Sequence, residues 1–120
     1  MAKEVQPAVV HSPTVPPPKI YKALFGTGGD VIRGQEITEA EAVTDRKAGL
    51  DVVVCGLTMM DNRDLAEKIE RAANGNCKPC PPHMAMGPGA MYHFQPDPRP
   101  PDGHCFYETN KRKSKKATKP

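Results

Sequence analysis

The clearest alternation of hydrophobic and polar positions is helical and lies in the stretch ITEAEAVTDRKAG. Thr38 stands at the N-cap position and Glu41 follows three residues later, which is the spacing of a capping box. Acidic residues occupy the first turn, basic residues occupy the last turn, and Gly49 follows as a stop signal. The pattern predicts a helix over residues 39–48.

A short apolar run, LDVVVCG, comes next. Its three consecutive valines, Val52 to Val54, are followed by Cys55 and Gly56, and such a β-branched run is typical of a strand buried on both faces. We expect Cys55 to be a small core residue, because free cysteine is readily buried.

The segment from Asn62 to Ala73 predicts a second helix. Asp61 is a suitable N-cap, and the sequence NGN after the segment is a stop signal. Four apolar residues fall on one helical face, with charged residues outside them: Leu65, Ala66, Ile69 and Ala73.

The flanking segments predict a small sheet. KIYKALF, residues 19–25, is too short for its period to separate a strand from a helical turn, and GTGGD after it predicts a turn. HCFYET, residues 104–109, has the aromatic and β-forming residues of a strand that can pair with residues 51–55. The chain between Asn76 and this strand is rich in proline and predicts loops. We therefore expect an α+β fold with two helices packed on a short sheet.

Composition divides the chain into three parts. Residues 1–18 are predicted to be an extended leader or linker, because residues 7–18 contain five prolines. Residues 19–109 are predicted to form a single domain and residues 110–120 a basic, flexible tail, so both ends are expected to be disordered. Residues 1–109 contain eleven Lys and Arg against fourteen Asp and Glu, whereas the tail has six basic residues and no acid. Such a tail either stays solvated or attracts phosphates. Its candidate phosphate-binding residues are Lys111, Arg112, Lys113, Lys115 and Lys116.

Two kinds of segment are missing from the sequence. No window approaches 18 consecutive apolar residues, so no membrane span is predicted, and the N-terminus lacks the apolar core and cleavage site of a Sec signal peptide. Export would therefore use a non-Sec route; otherwise we expect a cytoplasmic protein. The four cysteines are unevenly placed, which indicates reduced thiols or metal ligands rather than a disulfide framework.

Cys77 and Cys80 form a CxxC motif that can supply two thiolates to a zinc ion. The remaining ligands would come from His83, His93, His104 or Cys105, but this spacing differs from that of a regular zinc finger. Unligated thiols and a redox CxxC stay open as alternatives. A zinc deaminase does not fit, because no HxE precedes the cysteines and the proline lies between them.

The histidines suggest catalysis. His83, His93 and His104 lie on predicted loops, and a histidine pair can deprotonate a ribose 2′-hydroxyl and protonate the leaving oxygen without a metal. Tyr107 lies just beyond His104 and is a further candidate. Glu108 is either one half of a local ion pair or, together with Asp97 or Asp102, a metal ligand of a metal-dependent nuclease.

Four stretches of the chain, GLDVVVCG, NRDLAEKIERAANG, PHMAMGPGAMYHFQP and GHCFYET, resemble the C-terminal effector domains of bacterial polymorphic toxins, such as those attached to Rhs-type carriers. The resemblance covers roughly residues 30–113. It implies secretion into a target cell, action in that cell's cytoplasm, a partner immunity protein and, as in many such domains, nuclease activity. His83, His93, His104 and Glu108 fall in the matching stretches.

These observations leave two hypotheses. In the first, the chain is a toxin-like domain acting on nucleic acid, with RNA favoured, and is a metal-independent ribonuclease that uses His93 and His104 as acid and base, with His83 or Tyr107 in support. In the second, it is a non-enzymatic binding or structural module stapled by zinc through Cys77 and Cys80. A metal-dependent nuclease is a further alternative.

Overall fold

The computed structural model describes residues 16–83 and 87–117 of the 120-residue chain as one small α+β domain. The predicted fold class is therefore confirmed. Most of the predicted leader, residues 1–15, lies outside the described residues, and Pro16 to Pro18 lead directly into the first strand. The elements are β1 (Lys19–Phe25), a 3-10 turn (Thr27–Gly29), β2 (Val31–Ile37), α1 (Glu39–Lys47), β3 (Val52–Cys55), α2 (Met59–Asn74), β4 (Cys77–Cys80), β5 (His93–Pro96), β6 (Cys105–Tyr107) and β7 (Lys115–Lys116).

Within the described ranges, the strands form one mixed sheet in the order β4-β5-β6-β3-β1-β2-β7. The central pair, β3 and β6, is parallel and aligns Val52 with Cys105 and Val54 with Tyr107. This confirms the predicted pairing of the last aromatic strand with the valine strand. Strand β1 pairs antiparallel with β2 and β3, and β5 pairs antiparallel with β4 and β6. Strand β7 pairs parallel with β2.

Local sequence determines where both helices begin. The predicted capping box of α1 is present, since the Thr38 hydroxyl accepts from the Glu41 N–H at 3.1 Å and the Glu41 carboxylate accepts from the Thr38 N–H at 2.8 Å. Helix α2 begins three residues earlier than predicted. Its N-cap is Thr58, whose hydroxyl accepts from the N–H of Asp61, so that Asp61 lies inside the first turn.

Both helices pack on the same side of the sheet, which we call the helix face. Its core is apolar and close to fully buried: Ile20, Ile37, Ala42, Val52, Val54, Ala66, Ile69, Phe94, Cys105 and Tyr107. One ion pair lies within it, because the Arg46 Nε donates to Glu70 Oε1 at 2.7 Å and both side chains are fully buried. The same arginine also donates to the carbonyl oxygens of Leu50 and Asp102, so it ties α1 to the loop before β6.

The other side of the sheet, which we call the opposite face, has a smaller apolar cluster of Ala23, Val31, Val53, Met91 and Phe106. The loop before β5 covers part of it. Gly87 lies so close to Gly28 that a Cβ atom at residue 87 would be 2.4 Å from the Gly28 carbonyl oxygen, and the Gly89 N–H donates to that oxygen at 2.8 Å. The GTGGD turn therefore anchors the loop that leads to His93.

The segment predicted as loops contains two strands. Residues 77–80 and 93–96 pair antiparallel, with Cys80 opposite His93 and Cys77 opposite Pro96. Strand β4 lies at the edge of the sheet, and an edge strand is where a proline such as Pro79 is tolerated, because a partner strand is present on one side only.

The first part of the predicted tail, as far as residue 117, is described and contacts the domain. The Glu108 carboxylate is buried and accepts from the Ser114 N–H at 2.9 Å and from the Ser114 hydroxyl at 2.6 Å. These bonds fix the chain before Lys115 and Lys116, which form β7. Neither helix of the described ranges combines the length and the apolar sequence needed to cross a membrane.

A candidate metal centre of three histidines

Three of the four histidines meet on the opposite face of the sheet. His83 follows β4, His93 begins β5 and His104 immediately precedes β6, and one ring nitrogen from each lies within 4.8 Å of the others. We call this group the histidine cluster. The hairpin β4–β5 brings two of its members together, and the pairing of β5 with β6 adds the third.

The three rings contact one another directly. His83 stacks on His93 with their centroids 5.0 Å apart, and His93 meets His104 edge to face at 4.7 Å. Phe106 closes the sheet side of the cluster, since its ring stacks on His104 at 5.1 Å and lies 5.5 Å from His93. His83 is exposed and His93 is fully buried, so the cluster opens to solvent on the His83 side.

Asp51 orients His104. Its Oδ1 accepts from the His104 backbone N–H at 2.8 Å and from the ring Nδ1 at 2.9 Å. Because a carboxylate oxygen can only accept, the proton of the neutral ring lies on Nδ1 and the lone pair on Nε2. A carboxylate behind a histidine in this way is a recurring feature of metal sites, where it fixes the ring and raises its basicity.

Both ring nitrogens of His93 have an oxygen nearby. Nδ1 lies 3.2 Å from the Met91 carbonyl oxygen, and in the tautomer that donates to this oxygen Nε2 carries the lone pair that a metal would bind. Gln95 Oε1 lies 3.4 Å from Nε2 and would have to turn away for a metal to bind there. Burial removes water from the imidazolium form and, together with smaller contributions from the neighbouring His104 and His83, lowers the pKa of His93 from 6.5 to about 4. The ring is therefore neutral at pH 7, which is the form that binds metal ions.

Residues behind the cluster support its position. The Arg99 guanidinium donates to the Gly103 carbonyl oxygen and to Gln95 Oε1, each at 3.1 Å, and Gln95 Oε1 lies 3.4 Å from His93 Nε2. A Cβ atom on Gly103 would lie 2.4 Å from the buried Arg46 guanidinium, so a side chain there would displace the segment that leads to His104.

The other predicted catalytic residues lie elsewhere. Tyr107 points to the helix face, where it is buried beside Phe94, and burial raises its pKa. Glu108 is buried against Ser114 and Arg33, whose Nη1 lies 3.5 Å from its carboxylate. The structure therefore brings His83, His93 and His104 together and places Tyr107 and Glu108 apart from them.

The CxxC motif does not form a pair of adjacent ligands. Cys77 packs against the core of the helix face, whereas Cys80 lies opposite His93 in the ladder, so strand alternation directs the two thiols to opposite faces. Burial raises the pKa of both thiols, which disfavours the thiolate form. Cys55 contacts the Ser114 hydroxyl at 3.3 Å, and burial raises its pKa to about 11, in keeping with the predicted core role.

The predicted phosphate-binding residues are divided between two places. Lys111 and Arg112 line a cleft beyond the carboxyl end of β6, together with Tyr107. Lys113 is exposed between them and β7, and Lys115 and Lys116 are exposed on β7 at the edge of the sheet.

Sequence reasoning missed Asp51 as a site residue. A signal was present, because Asp51 immediately precedes the valine strand and that strand was predicted to pair with residues 104–109. An acidic residue next to such a strand would then lie beside His104. The contact between Met91 and His93 had no comparable signal in the sequence.

Three imidazoles, two of which have Nδ1 within hydrogen-bonding distance of an oxygen, suit a zinc-type ion, which takes nitrogen ligands at about 2.0–2.1 Å. Tetrahedral binding at that length requires nitrogens roughly 3.4 Å apart, so the cluster would have to contract by up to about 1.4 Å. The exposed His83 is the member that can move most easily. No protein-family model matches the chain, and comparisons with curated proteins and with solved structures found no match.

Proposed function

We propose that this domain is a toxin-type nuclease that hydrolyses phosphodiester bonds, with RNA as the favoured substrate, at a divalent metal ion held by His83, His93 and His104. Zinc is the favoured ion. The observation that supports the proposal is the convergence of the three rings, two of which have Nδ1 within hydrogen-bonding distance of an oxygen acceptor.

The resemblance to polymorphic-toxin effectors supports the same residues. Each of its most specific pieces contains one member of the histidine cluster, in PH, YHF and GH. Pieces whose histidines are ten and eleven residues apart in the sequence thus meet at one place in the fold. A cognate immunity protein and delivery into the cytoplasm of a target cell by a non-Sec route belong to this proposal.

An ion bound by three histidines retains a free coordination position and supplies Lewis acidity towards a phosphoryl oxygen. The residues of the chain do the rest. Asp51 holds His104 in one orientation, and Phe106 and Phe25 shield the sheet side of the cluster from water. Arg99 donates to Gln95 Oε1, which lies beside His93. Its positive charge can therefore attract a phosphate to the cluster.

Metal analysis combined with nuclease assays tests this function. Purified protein should contain about one divalent ion per chain, degrade RNA, and lose activity with a chelator and regain it with zinc. His83→Asn should lose both metal and activity while remaining folded, because residue 83 is exposed. Lys78→Ala is the matched control, since residue 78 is exposed on the same hairpin and is not a member of the histidine cluster. Full activity of His83→Asn would refute the metal centre.

A second candidate function is the metal-independent ribonuclease that the sequence predicted, and the Asp51–His104 pair favours it. In that reaction the neutral His93 is suited to accept a proton rather than to donate one. The chelator separates the two candidates. Activity that persists unchanged in a chelator, and is abolished by His104→Ala, would select the metal-independent reaction.

The zinc-stapled module remains the non-enzymatic proposal, now with the histidine cluster rather than the cysteine pair as its ligands. Cys77→Ser should leave metal content unchanged, because the Cys77 side chain packs against the core of the helix face, on the other side of the sheet from the histidine cluster. A metal-loaded protein with no activity on RNA or DNA would favour this structural role.

A further inference from the structure

A cleft of about 560 Å³ lies beyond the carboxyl ends of the parallel strands β3 and β6, beside the first turns of α2. This is within the size range of small-molecule sites, and the carboxyl ends of parallel strands are a common place for them. We call it the Tyr92 cleft. It is lined by Met59, Arg63, Tyr92, Tyr107, Thr109, Asn110, Lys111 and Arg112.

The charge of the cleft is entirely positive. Three of its eight lining residues are cations, Arg63, Lys111 and Arg112, and none is acidic. The Arg112 Nη1 donates to the carbonyl oxygens of Pro88 and Ala90 at 3.1 and 2.9 Å, which fixes the position of its guanidinium. Arg63 also pairs with Glu67 at 3.7 Å. A lining of three cations and no acidic residue favours an anionic ligand, and phosphate suits arginine and lysine in particular.

An aromatic surface lies beside these charges. Tyr92 is 38% exposed and stacks on Tyr107, with the ring centroids 6.1 Å apart and the planes at 27°. Tyr107 is buried, packs against Phe94 and donates its backbone N–H to the Tyr92 carbonyl oxygen, so the exposed ring has rigid support. A supported, exposed tyrosine is the usual platform on which proteins stack a nucleobase.

The cleft is separate from the histidine cluster. Tyr92 adjoins His93 in the chain and Tyr107 adjoins Phe106, but successive side chains of a strand point to opposite faces. Tyr107 belongs to the core of the helix face, whereas Phe106 contacts the histidines. A ligand in the cleft therefore lies across the sheet from the metal centre.

We propose that the Tyr92 cleft binds a phosphorylated nucleotide, with its base stacked on Tyr92 and its phosphate paired with Arg63, Lys111 and Arg112. A ligand that contains both an aromatic ring and a phosphate can contact the Tyr92 ring and the three cations of the cleft at the same time. The proposal is independent of the nuclease function, because its residues are not those of the histidine cluster.

Calorimetric titration in the presence of a chelator tests this site. Adenosine 5′-monophosphate should bind at least about tenfold more tightly than adenosine or inorganic phosphate, since each of those lacks one half of the interaction. Equal affinity for the nucleotide and for inorganic phosphate would overturn the proposal. A 5′-phosphorylated oligoribonucleotide that binds as tightly as the mononucleotide would identify the ligand as an RNA end, and weaker binding would identify it as a free nucleotide.

Substitutions locate the binding. Tyr92→Ala should weaken nucleotide binding about tenfold while Tyr92→Phe retains it, because stacking requires the ring and not the hydroxyl. Lys111→Ala should weaken binding several-fold. Lys113→Ala is the matched control, since it removes the same charge two residues away and does not line the cleft. Equal losses of nucleotide affinity in Lys111→Ala and Lys113→Ala would show that binding is non-specific electrostatic attraction, and would overturn the proposal.

The nuclease proposal and the cleft can fail separately. His83→Asn, which should abolish metal binding, should leave nucleotide binding unchanged. Loss of nucleotide binding in that variant, with its thermal stability preserved, would show that the ligand binds at the histidines instead of at the cleft.

Discussion

The helix face and the opposite face of the sheet are built from side chains of different character. The helix face encloses ten buried, largely apolar core residues, and its one buried ion pair is fully satisfied by hydrogen bonds. The opposite face has half as many core residues, and the three imidazoles of the histidine cluster lie next to them. Apolar burial is the main source of folding free energy, so the first face should govern stability and the second should govern chemistry.

The largest expected effect is the loss of stability when the buried ion pair is broken. Glu70→Ala leaves the fully buried Arg46 without its partner, and we expect a loss of about 3–5 kcal/mol in the free energy of unfolding, measured by urea denaturation. Glu67→Ala is the control, because Glu67 pairs with Arg63 and Arg71 at the surface of the same helix and should cost less than about 1 kcal/mol. Similar losses in both variants would contradict the assignment of stability to the buried pair.

His93 should make the opposite face sensitive to acid. Its folded pKa of about 4 lies below the unfolded value of 6.5, so the neutral ring contributes stability above pH 6.5 that is lost as the pH falls towards 4. The full loss is about 3 kcal/mol, from 1.36 kcal/mol per pKa unit. Urea denaturation at a series of pH values, with a chelator present, measures it. The difference between the wild-type and His93→Gln curves isolates this group, and parallel curves would refute the prediction.

Asp51→Asn should separate chemistry from stability. The substitution keeps an oxygen for the His104 backbone N–H but removes the charge behind the ring, and we expect metal affinity to fall about 10–100-fold in a competition titration. The free energy of unfolding of the metal-free protein should change by only about 1 kcal/mol. Asp64→Asn, an exposed carboxylate on α2, is the control. A large loss of stability without a loss of metal affinity would make Asp51 purely structural.

The smallest effect concerns the exposed lysines of β7. Lys115→Ala should weaken RNA binding slightly at low salt and lower the slope of affinity against salt by about 0.7, as one lost phosphate contact does. Lys68→Ala removes an exposed lysine from the helix face instead and should leave the slope unchanged. Filter binding at several salt concentrations compares the two.

Sequence reasoning predicted the parts of the fold that depend on local signals. The capping box of Thr38 and Glu41, the valine run of β3 and the aromatic strand β6 all have short patterns that fix their conformation. It missed β4 and β5, because Pro79 and Pro96 disfavour strands and only their position, at the sheet edge and at a strand end, makes them acceptable. A strand in such a place is stabilised by its partner and not by its own propensity.

The three histidines of the candidate site were predictable, but the exclusion of Tyr107 and Glu108 from it was not. His83, His93 and His104 were recognisable as a set, whereas the separation of Tyr107 and Glu108 from them depends on the register of β6. A shift of one residue would exchange Phe106 and Tyr107 between the faces. That register is set by contacts with residues about fifty positions away, which no short pattern contains.

The position of β6 in the sheet has a consequence for the order of events during synthesis. This central strand is encoded late, after all of its neighbours, and its pairing with β3 spans 53 residues. A nascent chain that ends before residue 104 therefore has a gap in the middle of its sheet and only two of the three histidines. Long-range pairing of this kind is also slow to form. The histidine cluster therefore cannot form until almost the whole domain has been translated.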